Sequence, residues 1–327
     1  MWKPRFGIGG RGLLAAVALA LLAVILFAAQ DSGPKFSQWG EAAPVGPQIR
    51  TDDNYEGCPF ISKSGLDLYF RTYNYNPVTK IWSWDIFVSH RDSIEDEWED
   101  PINLGTNINT DRNELCSFVT IDGHWIYFVS NRTGAIGGSD LWVSHRKDKR
   151  DDQGWDTPIN LGPQVNSTSG ETGPCIFEDE ATGQVTLFFT RSVSGKNKIF
   201  SCQMLDKVTT GLAAPVDELN YPGAADWHAF VRRKDGLEVI FCSDRDTPGM
   251  SDLFVSTRPT TMDSWSTPVN LGPDVNSERQ EGRPSISWDG TTLYFWTDRE
   301  PEPGYEGQYW WLKIYQATRT KITGKDK

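Results

Sequence analysis

After residue 30 the apolar residues cluster in short runs with a two-residue period. Five of them are Leu68-Tyr69-Phe70, Ile126-Tyr127-Phe128, Leu187-Phe188-Phe189, Val239-Ile240-Phe241 and Leu293-Tyr294-Phe295. Four are followed by a second run: Asp85-Ile86-Phe87-Val88, Asp140-Leu141-Trp142-Val143, Lys198-Ile199-Phe200 and Asp252-Leu253-Phe254-Val255. Alternation with β-branched and aromatic residues predicts strands, because side chains on a strand point to opposite faces in turn. No stretch past residue 30 carries the wider period of an amphipathic helix. Asp122-Gly123, Asp235-Gly236 and Asp289-Gly290 precede the Tyr-Phe-type runs of their units. Such dipeptides supply the positive φ of a tight hairpin.

The runs belong to a repeat. An acid opens each unit, at Glu56, Glu114, Glu171, Asp226 and Glu281, every 55–58 residues. A Trp precedes a Gly by seven positions at Trp39, Trp98, Trp155 and Trp265; the last three read W-x-x-P-[IV]-N-L-G. Each unit therefore reads as four strands, A to D. Strand A follows the acid, and D carries the Trp-Pro segment. One such sheet cannot bury both faces, whereas a radial stack can. The expected fold is all-β, a five-bladed β-propeller over residues 31–320. The fifth unit lacks its Trp-Pro segment, and the segment around Trp39 has no unit in front of it. Residues 36–48 are thus expected to form the outer strand of the last blade and close the ring. The repeated Trp is expected to pack between blades.

The units resemble the WD-repeat-like propeller repeats of TolB-type proteins. The resemblance rests on the segment from Glu281 to Arg299, on Ser130 to Ser144, and on Ser243-Asp244-Arg245, and it covers nearly all of residues 36–319. It implies the propeller fold and an exported protein that binds ligands or partners, with no particular reaction. The chain departs from the pattern at Asn74 and Val193, where Arg is expected, and unit three lacks the strand D Trp. Those departures make the ring asymmetric, as a specific site requires.

Charge narrows the partners. The net charge is −12, from 44 acidic and 32 basic residues, with basic groups gathered at the ends. A nucleic-acid binder needs cations to displace phosphate counterions, so nucleic acid is excluded as a partner. A glycan, a small ligand or a protein remains. Residues 1–30 read as a targeting segment: Lys3, Arg5 and Arg11 precede an uncharged run from Leu13 to Ala29. Charge on that side holds the N-terminus inside and exports the rest, to the periplasm or beyond. Phe27 or Leu26 spoils the −3 position of a cleavage site, so a removed signal peptide and a membrane anchor both stand. Residues 321–327 read as a basic tail.

The candidate chemistry gathers at one end of the ring, where the D–A and B–C connections open. The acids Glu56, Glu114, Glu171 and Asp226 are the catalytic candidates, with Glu281 beside them as a ligand contact. Repetition in every unit favours a scaffold role for them. A divalent cation or raised pKa values could also relieve such a carboxylate ring. Two residues further on stand Cys58, Cys116, Gly173, His228 and Arg283. Cys58 and Cys116 could be reduced core thiols, a disulfide, or ligands of a soft metal together with His228. The segment Asp226-Trp227-His228-Ala229 breaks the repeat, which marks Trp227 and His228. Long B–C loops carry Tyr73, Tyr75, Trp82 and Trp84 in unit one, and Tyr305 and Tyr309 in unit five. Flat rings beside acidic acceptors suit carbohydrate or cationic ligands. The reading is a binding module at the channel face. The alternatives are a glycoside hydrolase using channel carboxylates and a Cys/His metal site.

Overall fold

The computed structural model describes residues 35–49, 55–76, 80–246, 250–299 and 312–322. Strands in these residues build five four-stranded antiparallel sheets and one two-stranded lock. Blade one is Gly57–Ile61, Asp67–Asn76, Ile81–His90 and Ile102–Asn103. Blade two is Glu114–Val119, Trp125–Ser130, Asp140–His145 and Ile159–Asn160. Blade three is Glu171–Glu178, Val185–Val193, Lys196–Met204 and Ala214–Pro215. Blade four is Asp226–Val231, Glu238–Ser243, Asp252–Thr257 and Val269–Asn270. Blade five takes Glu281–Ile286, Thr292–Thr297 and Lys313–Thr318 from its own repeat. Its outer strand is Ala43–Pro44, from the start of the chain. The inner strands meet in an unbroken circuit, blade five packing against blade one. This is the five-bladed β-propeller that the repeat predicts.

Closure is as expected in place and shorter in extent. Ala43 lies opposite Gln316 and Pro44 opposite Tyr315. The flanking Gly40 and Val45 amides donate to the Thr318 and Ile314 carbonyls, at 2.8 and 3.0 Å. Lys35–Phe36 then pairs with Lys321–Ile322, a second lock on ground read as tail from the sequence. Phe36, opposite Lys321, brings an aromatic ring to that lock.

The four repeated Trp side chains are buried between blades. Each lies under a guanidinium: Arg319 over Trp39 at 4.2 Å, Arg91 over Trp98 at 4.3 Å, Arg146 over Trp155 at 4.4 Å and Arg258 over Trp265 at 4.2 Å. The same four arginines donate from Nε to the carbonyl of the glycine in their blade's A–B turn, at 2.8–2.9 Å. One side chain thus joins three strands of its blade, its charge met by a π face and its N–H by a carbonyl.

Every inner strand carries a β-bulge at the same place. Pairing with strand B slips between Gly57 and Phe60, Leu115 and Phe118, Thr172 and Cys175, Trp227 and Phe230, and Gly282 and Ser285. The bulged residues have positive φ: Cys58 52°, Cys116 48°, Gly173 64°, His228 54° and Arg283 49°. Four of the five are not glycine, and each such conformation costs about 1–2 kcal/mol. A bulge re-aims a side chain. The four side chains at these positions therefore do not follow the plain alternation of a strand; with Gly173 they mark a ring of their own.

Candidate functional site

The five acids are structural corners. Glu114 accepts from the Thr110 amide at 2.8 Å, Ser130 Oγ at 2.7 Å and Arg132 at 3.3 Å. Glu171 accepts from the Ser167 amide at 2.9 Å, Ser167 Oγ at 2.5 Å and Arg191 Nε at 2.8 Å. Asp226 accepts from the Tyr221 amide, Ser243 Oγ and Arg245 at 2.6–2.7 Å. Glu281 accepts from the Ser277 amide at 3.1 Å, Thr297 Oγ1 at 2.9 Å and Arg299 at 3.1 Å. Glu56 of blade one is met by Lys313 Nζ of blade five at 2.9 Å. All five carboxylates are buried. Burial pushes the Glu114 and Glu281 carboxyls upward, against the hydrogen bonds that hold them. The catalytic candidates Glu56, Glu114, Glu171 and Asp226 and the ligand-contact candidate Glu281 are thus all engaged by neighbouring cations. Glu114, Glu171, Asp226 and Glu281 each satisfy a loop N–H and an arginine of their own blade. The sequence placed the unit-three arginine at the Val193 slot; Arg191 fills the role from two residues earlier.

The ring of bulged residues holds different chemistry. Cys58 and Cys116, on adjacent inner strands, are joined in a disulfide with Cα atoms 4.9 Å apart. That settles their three possible fates and corrects the soft-metal reading, since both sulfurs are bonded to each other. Among the described residues no three His, Cys, Asp or Glu side chains converge to hold a metal. Cys175, Cys202 and Cys242 are free and buried.

Opposite the disulfide sit His228 and Arg283. A Cβ built on Gly173 would lie 2.5 Å from His228 Cδ2 and 3.2 Å from Arg283 Nη1, so the two side chains occupy the space that this glycine vacates. Arg283 is buried, with Nη2 donating to the Pro174 carbonyl at 2.9 Å and Nε and Nη1 without a partner. His228 Nδ1 is likewise buried without a partner. Burial first, then the charges of Arg283 and Arg71, hold the imidazole well below its ordinary pKa. Burial lowers the Arg283 and Arg71 guanidiniums to about 10, which leaves both charged at neutral pH. Below this level the channel is filled. Phe60, Phe118 and Phe230 pack with centroids 4.7–6.3 Å apart, and Arg233 caps them at 4.9–6.0 Å. Arg233 Nη2 donates to the Ile61 carbonyl at 2.7 Å.

The aromatic cluster of blade one is a hairpin, not a loop. Strands B and C stay paired for ten residues each, against six in blades two, four and five. Tyr73 faces Trp84 and Tyr75 faces Trp82 across the pair. Alternation puts all four on one side, where they form a ladder. Tyr73 stacks on Trp82 at 5.2 Å and leans on Trp84 at 5.1 Å, and Trp82 meets Tyr75 at 5.1 Å. Trp82 is half exposed and Tyr75 is 40% exposed. Tyr55, next to the inner strand, meets Trp84 edge-on at 6.0 Å, and the Arg71 guanidinium lies 4.1 Å over the Trp84 ring. The ladder thus runs from solvent to the channel mouth. Trp227 does not join it: its ring packs on the main core. Tyr305 and Tyr309 lie outside the described residues, as does the N-terminal segment; no described helix is long and apolar enough to cross a membrane. Arg71 and Arg233 are site residues that the sequence reading passed over, because neither occupies a repeated slot.

Comparison with known proteins places the fold. No family model and no curated protein matches the chain. Solved structures do match in shape. The α-L-arabinofuranosidase of Lactobacillus brevis aligns over 86% of this chain and 94% of its own, at 14% identity and TM-score 0.56. The endo-arabinase of Bacteroides thetaiotaomicron aligns over 87% and 99%, at 15% identity and TM-score 0.53. The α-L-arabinofuranosidase of Podospora anserina, solved with cellotriose, aligns over 88% and 98%, at 10% identity and TM-score 0.54. At these identities the likeness is one of fold.

Proposed function

We propose that this chain is an exported, non-catalytic propeller that binds a glycan at its channel mouth. The aromatic ladder of Trp84, Tyr73, Trp82 and Tyr75 carries the reading. Stacked flat rings, with Trp82 and Tyr75 open to solvent, offer what the apolar face of a sugar ring needs, and an extended hairpin holds them rigidly. Structures of this shape include α-L-arabinofuranosidases, one solved with cellotriose, which supports a glycan as the ligand class. The disulfide agrees with export to an oxidising compartment, as do Lys3, Arg5 and Arg11 ahead of the apolar run. Kinship with TolB-type repeats is part of the same proposal.

The hydrolase alternative needs one carboxyl kept as an acid and a second as base or nucleophile, both facing the scissile bond. Against that alternative, each of the repeated acids is buried and already paired with a cation.

Binding of soluble arabinan, arabinoxylan and pectin fragments, measured by calorimetry on the wild type and on Trp82→Ala, tests the proposal. Binding by the wild type and a loss of at least tenfold in the variant are expected. Release of sugar from any of these polymers would overturn the non-catalytic reading. Unchanged affinity in Trp82→Ala would overturn the ladder as the site.

A further inference from the structure

Among the described residues, the axis of the ring carries a positive charge that no acid meets. In blades two to five a part-buried arginine meets the corner acid: Arg132 with Glu114, Arg191 with Glu171, Arg245 with Asp226 and Arg299 with Glu281. Arg233, at the lower level, lies against three phenylalanine faces. Arg283 has neither. Its charge is buried with one carbonyl as acceptor, while Nε and Nη1 are unpartnered. Arg71 Nε is also buried without an acceptor, although its guanidinium plane rests on Trp84. His228 Nδ1 is likewise unpartnered, and its imidazole shares with Arg283 the space beside Gly173. Leaving a buried cation without an opposite charge is strongly unfavourable. The chain maintains this cluster with strained backbone at His228 and Arg283 and with a glycine at 173 that makes room for both.

We propose that Arg283, Arg71 and His228 form an axial seat for a carboxylate, the acid group of a uronate-bearing glycan whose sugar rings lie along the aromatic ladder. The inference rests on the glycan-binding reading and names its substrate class. A guanidinium presents a planar fork of donors that matches the two oxygens of a carboxylate. Arg283 supplies Nε and Nη1, unpartnered donors on two edges of its plane, each free for an anionic oxygen. His228, with its proton on Nδ1, supplies a further donor. Arg71 joins the seat to the ladder, because its Nε lies beside Gly57 of the inner strand and its flat face covers Trp84. A uronate fits both parts, with an apolar ring face for the aromatics and an anionic end for the cations. A free inorganic anion would use the seat alone.

The test measures binding of trigalacturonate and of a xylan fragment bearing glucuronate to the full-length chain, at constant ionic strength. Their methyl esters, acetate and phosphate are the comparison probes. The acid forms are expected to bind at least tenfold more tightly than the esters, which keep the sugar and lose the charge. Arg71→Gln and Arg283→Gln are each expected to remove most of that difference. Should Arg283→Gln not fold, Arg71→Gln at the rim of the seat carries the test. Equal affinity for acid and ester would overturn the carboxylate seat while the glycan reading stands. Binding of acetate and phosphate as tight as that of the uronates would overturn the uronate and leave an inorganic anion site. Binding of neither acid nor ester would overturn both readings.

Discussion

The Arg319 guanidinium lies 4.2 Å from the centre of the Trp39 ring, which joins the last strand of the ring to the first segment of the propeller. Arg319 also stacks on Phe36 at 3.8 Å and forms a double ion pair with Glu238 of blade four, at 2.6 and 2.7 Å. It thus holds the closing segment, its own blade and the next one together. Replacing Trp39 by Ala removes a buried indole and leaves that guanidinium without its π face. The expected loss is about 3–5 kcal/mol. Chemical denaturation of Trp39→Ala checks it. Arg319→Ala is expected to destabilise as strongly, because Glu238 would then share only Arg232.

The corner acids give a prediction that separates scaffold from catalysis. In Glu171→Ala the Ser167 amide loses its acceptor and Arg191 is left buried beside an apolar methyl. A loss of about 3–5 kcal/mol is expected, as for other broken buried pairs. Glu171→Gln keeps the shape and one acceptor oxygen, so a smaller loss of about 1–2 kcal/mol is expected. Thermal melts of both variants decide the matter. A catalytic carboxylate would instead leave the melt unmoved.

His90 bridges two blades and ties stability to pH. Its Nδ1 meets Asp67 at 2.9 Å and its Nε2 meets Asp152 at 2.8 Å. The bonds to Asp152 and Asp67 raise its pKa to about 10, from an ordinary 6.5. Between these values the folded chain holds a proton that the unfolded chain has released, so stability falls as pH rises. The contribution is complete below pH 6.5 and is lost as pH climbs through about 10. Partial exposure of Asp67 screens the pair, which leaves an effect of about 1–2 kcal/mol. Urea midpoints at pH 6 and pH 10 are expected to differ more in the wild type than in His90→Gln.

Much of the fold was legible because its cause repeats. The Trp-Pro segments, the spaced acids and the Asp-Gly turns recur in register, and a unit that cannot bury itself alone implies a ring. The unpaired segment at Trp39 even named its partner blade. The site was legible only where it broke the pattern. Cys58, Cys116, His228 and Arg283 stood out as unlike residues in one slot, and the structure brings them together. Their direction was not legible, since plain alternation hides a bulge that is set by pairing with strand B. Arg71 and Arg233 were missed for a related reason. Each gains its meaning from neighbours far away in sequence, Arg71 from Trp84 and His228, Arg233 from Phe60, Phe118 and Phe230. Unit three misled in the opposite way: the missing arginine at Val193 looked like a functional gap, and Arg191 fills it.

Gly173 is the position where the ring of bulges yields to the site, and it supplies the sharpest single substitution. Its φ of 64° already disfavours any other residue. A methyl group there would meet His228 Cδ2 at 2.5 Å and Arg283 Nη1 at 3.2 Å, so both side chains must move. Neither moves freely, because the His228 amide is held by Thr190 Oγ1 at 2.8 Å and the Arg283 amide by Cys242 Sγ at 3.3 Å. Backbone strain and overpacking together are expected to cost Gly173→Ala about 2–4 kcal/mol. Cys242→Ala, which frees the Arg283 amide without filling space, is the matched control. If the glycine exists to seat the axial cations, Gly173→Ala loses uronate binding beyond what its melt explains, while Cys242→Ala at comparable stability retains it. Equal binding by the two variants would show that Gly173 serves only the backbone turn.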